Sequence, residues 1–275
     1  ITNYSGVLAF VIAKRNTPSG DASTFFVQAD NVTISGVDVT AFDDPAFNFK
    51  TISVIGENVT IKNCALHARD QVSSIYMYDP RFVSGTNTSY IQSYRFEANS
   101  LDAGGIYASG IRFSSGAGWT GSVANRVIIG NTINGGSYGI EFVGPQADPW
   151  DVYPVGAATV STNSFSGQDK GSIVAWGEYQ SAVGYGNIDW NGIWTNNTFD
   201  KAVIVKTPGG DVRYYDYLSG PIFKYIRGIY SAIRRYPVNL VAQAGDIINV
   251  AAGTYLEAGQ IVINKNLSIV GENKT

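Results

Sequence analysis

The sequence predicts an all-β fold, a right-handed parallel β-helix (a β-solenoid) carrying one short amphipathic capping helix. Three observations predict it: a short segment that recurs along the chain, aligned apolar and asparagine columns within that segment, and a composition poor in charge. Of 275 residues, 15% are charged, 44% are hydrophobic and 31 residues are glycine. β-Branched and aromatic residues punctuated by turn formers suit strands and tight corners rather than helical bundles.

The recurrence is the strongest signal, because self-similarity at a fixed period marks stacked architectures. Six segments share one pattern: NVTISGVDV from Asn31, NVTIKNCAL from Asn58, SYRFEANSL from Ser93, NRVIIGNTI from Asn125, ATVSTNSF from Ala158 and NGIWTNNTF from Asn191. Aligned, they give a first apolar column of Ile34, Ile61, Phe96, Ile128, Val160 and Trp194. A second column follows at Val39, Leu66, Leu101, Ile133, Phe165 and Phe199. Between the columns lie Val37, Cys64, Asn99, Asn131, Asn163 and Asn197. The four asparagines predict a structural ladder, since stacked amides hydrogen-bond from coil to coil and asparagine tolerates the left-handed region a corner requires.

First-column residues are 27 to 35 positions apart, whereas a bare solenoid coil needs only about twenty-odd residues. The excess is expected as loops inserted at the corners, at Tyr76 to Tyr90, Gly144 to Pro154 and Trp176 to Trp190. Inserted loops on one edge commonly form a binding face. One stretch breaks the strand pattern: Ile222 to Arg235 places Ile222, Ile226, Ile229 and Ile233 at helical spacing before Pro237. This predicts an amphipathic helix covering an exposed end of the solenoid, where terminal coils otherwise leave their interiors open.

After that helix come Gly245, Asp246, Ile248, Val250, Gly253, Thr254, Tyr255 and Glu257, then Lys265, Leu267, Ile269 and Gly271. This pattern resembles the first coils of pectin lyase-like β-helix proteins, including pectin methylesterases. The resemblance implies the β-helix fold and an extracellular setting. In that superfamily the helix and first coil stand at the amino end; here they follow the repeats. The expected organisation is therefore residues 1–219 as coils with inserted loops and 220–275 as capping helix plus first-coil-like segment. Three explanations stay open: one period of a tandem array, a circular permutant, or a subunit whose carboxy-terminal coils dock under the next subunit. The chain opens at Ile1 rather than at a methionine, so its natural start is expected to have been removed by processing or by the choice of boundaries.

Enzymes of that superfamily carry recognisable clusters. The GHG and RIK motifs of polygalacturonases and the QDT and DFxFG segments of pectin methylesterases do not occur here. Weak catalytic candidates are Asp70, Asp102 and Arg69, because two carboxylates on successive coils can flank a glycosidic bond. His67 is the only histidine and Cys64 the only cysteine, so no metal centre, disulfide framework or cofactor is expected. His67 is expected on the coil surface and Cys64 as a small buried hydrophobe. A net charge of −3 without a basic run argues against a nucleic-acid partner. Val7 to Ala13, the most apolar segment, is too short to span a bilayer.

Trp119, Trp150, Tyr153, Trp176 and Trp190 lie in stretches rich in glycine, proline and aspartate. Aromatic faces there suit contact with a carbohydrate or a protein partner. Acceptor sequons begin at Asn3, Asn31, Asn58, Asn87, Asn196, Asn266 and Asn273, which fits a glycoprotein outside the cell. Together these features favour an extracellular or cell-surface structural protein, a head-to-tail filament subunit or tandem array in contact with polysaccharide. The alternatives are a polysaccharide-degrading lyase or glycoside hydrolase of the same fold, and a non-catalytic carbohydrate-binding β-helix.

Overall fold

The computed structural model describes residues 9–12, 22–41, 49–68, 73–77, 91–105, 108–114, 122–143, 158–168, 171–176, 190–200, 203–210, 222–223, 229–233, 242–255 and 260–272. Each of the first five recurring segments makes two short strands meeting at a corner, and a third strand completes the coil. The first coil contributes β1 (Ala9–Ile12) and β2 (Ala22–Val27). Then come β3 (Thr33–Ser35), β4 (Val37–Thr40) and β5 (Phe49–Val54), followed by β6 (Val59–Lys62), β7 (Ala65–Ala68) and β8 (Ile75–Met77). The triplet recurs as β9 (Ile91–Glu97), β10 (Ser100–Ala103) and β11 (Ser109–Ser114), and as β12 (Ser122–Ile129), β13 (Thr132–Gly135) and β14 (Tyr138–Val143). It returns once more as β15 (Ala158–Ser161), β16 (Ser164–Ser166) and β17 (Gly171–Trp176).

Strands of like position stack in parallel into three walls: β3 to β15, β1 to β16 and β2 to β17, each taking one strand per coil. This is the parallel β-helix. Its interior is lined by columns. In the first wall Ile34, Ile61, Phe96, Ile128 and Val160 lie in register. In the second, Val39, Leu66, Leu101, Ile133 and Phe165 do so. The third wall adds Phe25, Ile52, Ile75, Ile111, Ile140 and Ile173. Nearly all of these side chains are buried in one cluster, and each full burial is worth about 1.5–3 kcal/mol.

The sixth recurrence departs from expectation. Residues Trp190–Asn196 form a helix, α1, before β18 (Thr198–Phe199) continues the second wall opposite Phe165. Trp194 is therefore on a helix and not the sixth rung of a strand column, and Ile193 supplies the side chain buried in the core. The helical rise draws in the neighbouring position, which a strand alignment does not anticipate.

At the corner between first and second walls, Asn99 Nδ2 donates to Asn131 Oδ1, Asn131 Nδ2 to Asn163 Oδ1 and Asn163 Nδ2 to Asn197 Oδ1, each at 2.9 Å. The same oxygens accept from the backbone amides of Asn99 (3.0 Å), Asn131 (2.9 Å) and Asn163 (2.8 Å). Asn99 Oδ1 in turn accepts from Cys64 N at 3.0 Å. Each side-chain nitrogen also donates to a wall carbonyl: Asn99 to Ile61, Asn131 to Phe96, Asn163 to Ile128 and Asn197 to Val160. The oxygens of Asn131, Asn163 and Asn197 therefore each accept two bonds inside the corner, and that of Asn99, at the end of the ladder, accepts one. The left-handed conformation falls one residue earlier than expected, at Gly36, Asn63, Ala98, Gly130 and Thr162. The backbone turn and the amide stack are thus carried by adjacent residues, not by one.

Phe96 stacks on Tyr94 with ring centroids 4.8 Å apart, and Tyr94 meets Phe113 at 5.0 Å. Tyr94 is buried, and its hydroxyl has no hydrogen-bond partner among the described residues. Desolvation pushes the Tyr94 phenol far above its usual range, with Arg126 opposing. The folded chain therefore holds that proton when the unfolded chain releases it, and stability falls as pH rises above about 10. Tyr94→Phe keeps the ring contacts and removes both liabilities. Chemical denaturation should show it equal to or up to about 1 kcal/mol more stable than the parent near neutrality, and less sensitive to alkali.

The last part of the chain builds a second, smaller core. β19 (Val203–Lys206) pairs antiparallel with β21 (Ile247–Val250), and β21 pairs in parallel with β22 (Ser268–Gly271). β20 (Ile222–Phe223) adds antiparallel to β17. The helix expected over 222–235 is confined, among the described residues, to α2 (Ile229–Ile233), since its first two residues are strand. Ala232 and Ile233 of α2 pack with Val203, Val205, Ala242 and Ile248. The helix thus covers this second cluster and not the main column.

Candidate functional site

Large apolar side chains exposed to solvent single out two places. Among the described residues they are Phe26, Val262, Ile263, Ile269 and Val270. Phe26 stands on β2, the first strand of the third wall, and the other four stand on the final segment ending in β22. The two features lie at opposite limits of the strand succession. Scattered exposed hydrophobes are ordinary, but clustering at strand-stack ends marks surface prepared for contact.

The local chemistry explains how β22 is presented. Gly245 adopts a left-handed φ of 90°, which glycine adopts without strain. Its amide donates to Asn266 O at 2.7 Å, and Ser268 N donates to Asp246 O at 3.0 Å. Asp246 is buried, with Oδ2 accepting from Gln243 N at 2.7 Å. Lys265 donates through Nζ to Ala242 O, and burial lowers its pKa while Asp246 opposes that shift. These bonds hold β22 against β21 and extend the column Val205, Ile248, Ile269. Val205 and Ile248 are buried, whereas Ile269 is 42% exposed. Among the described residues no further strand covers it: β22 pairs only with β21. At the other limit β1, β2 and β3 pair in parallel with β4, β5 and β6 of the following coils.

Two polar clusters stand on the outer walls. On the second wall Thr40, His67, Asp102, Asn134 and Ser166 form one outward row. His67 Nε2 lies 3.4 Å from Asp38 Oδ1, and Nδ1 lies 3.7 Å from Asp102 Oδ2. On the third wall Lys50 Nζ lies 4.7 Å and Arg112 Cζ 5.8 Å from the Tyr76 ring centroid. Glu141 Oε2 accepts from Ser109 Oγ at 2.5 Å and lies 3.6 Å from Arg112 Nη1. Cation–π contact and ion pairing thus tie successive coils together there. No group of three acidic, histidine or cysteine side chains among the described residues suits a metal ion.

The sequence candidates distribute unevenly. Asp102 is on the surface beside His67, while Arg69 and Asp70 fall outside the described residues, as do Trp119, Trp150 and Tyr153. Trp176 is the last residue of β17 and Trp190 the first of α1, so these two belong to regular elements and not to loops. Tyr76 likewise lies within β8. Among the sequons, Asn31, Asn58, Asn196 and Asn266 are exposed; Asn3, Asn87 and Asn273 lie outside the described residues. Asn31 and Asn58 stack at one corner, where Asn58 Nδ2 donates to Asn31 Oδ1 at 2.8 Å. Cys64 is buried, and burial raises the pKa of its thiol.

No known protein family, curated protein or solved structure matches the chain. Its functional reading rests on this geometry. No described helix is long and apolar enough to cross a membrane. Sequence reasoning missed the His67 cluster, although the offsets that align the columns also bring Asp102 beside His67. It also missed the exposure of β22, which depends on which strands lack a second neighbour.

Proposed function

We propose that this chain is an extracellular structural β-solenoid subunit that associates head to tail. The observation that supports this reading is the placement of every exposed large apolar side chain described, with Phe26 on a first strand and the remainder beside a last one. β22 has no second strand neighbour among the described residues, and an open strand edge templates addition of another chain. Unlike surfaces that meet in this way generate open filaments when no rotation closes them. The exposed sequons at Asn31, Asn58, Asn196 and Asn266 suit a glycosylated surface protein, and the outward polar row around His67 suits contact with polysaccharide. The resemblance of the Gly245–Gly271 segment to pectin lyase-like first coils belongs to the same reading.

Sedimentation velocity over a range of concentrations, with electron microscopy of the concentrated sample, tests it. Concentration-dependent species and linear particles are expected, and Val270→Lys should abolish both, since a lysine beside an open edge opposes strand addition. A chain that stays monomeric at every concentration would overturn the proposal. A polysaccharide-degrading enzyme is the second reading, favoured by the His67 ring set between Asp38 and Asp102. Release of reducing ends or unsaturated products from a polysaccharide panel decides for it, and loss of that release in Asp102→Asn would locate the reaction.

A further inference from the structure

We propose that Asn266 carries an N-linked oligosaccharide and that this glycan closes β22 to strand addition, so that only copies bare at Asn266 extend an assembly past that edge. The proposal rests on the head-to-tail reading and supplies its regulation. Asn266, Leu267 and Ser268 form an acceptor sequon, and Ser268 is itself the first residue of β22. Asn266 and Ser268 are both exposed, whereas Leu267 between them is partly buried against the second core. The carbonyl of Asn266 accepts from Gly245 N at 2.7 Å, which fixes the acceptor backbone while its side chain stays in solvent. Two extended residues span at most about 7 Å, so the attachment point lies within that distance of the strand.

The backbone bonds show which side of β22 is open. Ser268 N donates to Asp246 O and Glu272 N to Val250 O, and β22 runs parallel to β21. In a parallel pair alternate residues bond toward alternate sides, so Ile269 and Gly271 aim their N–H and C=O groups away from β21. Among the described residues no strand meets them there. An added strand would lie about 4.8 Å from β22. An oligosaccharide on Asn266 is bulky and hydrated, and it would compete for the space beside Ser268. The other exposed sequons lack this placement. Asn31 and Asn58 precede β3 and β6, with Asn58 Nδ2 donating to Asn31 Oδ1 at 2.8 Å, and Asn196 ends α1. The transfer forms a bond from Asn266 Nδ2 to the anomeric carbon of an oligosaccharyl pyrophosphate donor. The anomeric C–O bond breaks, the pyrophosphate leaves, and one Nδ2 proton passes to solvent.

The test secretes the chain from an N-glycosylating eukaryotic host and compares it with the same chain made in a host that adds no glycan. Glycopeptide mass spectrometry reads occupancy at Asn266, and sedimentation velocity reads association. The secreted protein is expected to carry the glycan at Asn266 and to associate roughly tenfold more weakly, or worse, than the bare chain. Asn266→Gln and Ser268→Ala each abolish the sequon through a different residue, and both should restore association to the secreted protein. Asn196→Gln removes a sequon outside β22 and should not. Asn266 found bare in the secreted protein overturns the proposal, as does equal association with and without the glycan; both results leave head-to-tail association standing. Rescue by Asn196→Gln as full as that by Asn266→Gln assigns the effect to glycan bulk in general and also overturns it. Failure of the bare chain to associate overturns the underlying reading along with it.

Discussion

Asn131→Ala is expected to lower the free energy of unfolding by about 3 kcal/mol or more. Asn131 Oδ1 accepts from Asn99 N and Asn99 Nδ2, and Asn131 Nδ2 donates to Phe96 O and to Asn163 Oδ1. Alanine removes all of these and leaves Asn99 N and Phe96 O buried without those partners. Orphaned buried groups cost about 1–3 kcal/mol each. Asn131→Asp is a sharper variant, because a carboxylate only accepts and would face Asn163 Oδ1 and Phe96 O. Burial raises the folded-state pKa of such a group. Its penalty is therefore absent below the unfolded value of about 3.9 and grows as pH rises through it. Urea titrations at several pH values check both variants: Asn131→Ala should be uniformly destabilised, and Asn131→Asp should approach it only in acid. A loss under about 1 kcal/mol for Asn131→Ala would show that water or neighbours replace the ladder bonds.

Gly139→Ala is expected to cost about 3 kcal/mol through overpacking, at the upper end of what one added methyl exacts in a filled interior. A Cβ at Gly139 would sit 2.6 Å from Phe165 Cδ1 and 2.6 Å from Ser172 O. The second contact is backbone of the adjacent strand, so the wall itself would have to open. Gly110 holds the equivalent place one coil earlier, where a Cβ would meet Ile133 Cγ2 at 2.4 Å. These glycines admit the second-wall column against the third wall, and no left-handed backbone is involved. Thermal unfolding of Gly139→Ala and of the reverse-direction control Phe165→Leu separates steric crowding from backbone preference. If Phe165→Leu restores stability to Gly139→Ala, crowding against the ring is confirmed as the cause.

The two apolar columns and the asparagine stack were legible because inward alternation and amide pairing fix residue type at a constant offset within each coil. The third wall was not legible, since Ile52, Ile75, Ile111, Ile140 and Ile173 follow insertions of unequal length and carry no accompanying motif. Trp194 misled because its segment keeps Asn197 and the following Phe199 yet winds as a helix just before them. The left-handed residue was misplaced by one position for a related reason. Asparagine suits both the turn and the ladder, and only the dihedral angles show that Ala98 and Thr162 take the turn beside Asn99 and Asn163. The carboxy-terminal segment was legible as strand and turn, whereas its partner β19 was not, because antiparallel pairing with a preceding strand leaves no repeat in the sequence.

The ladder also bears on how the molecule forms. Asn99 and Asn131 are 32 residues apart, as are Asn131 and Asn163, and Asn163 and Asn197 are 34 apart. The chain-closure entropy for each new turn therefore stays nearly constant however tall the stack becomes. Growth can zip from any established pair of turns toward either limit. A longer stack would add height without adding a slower search.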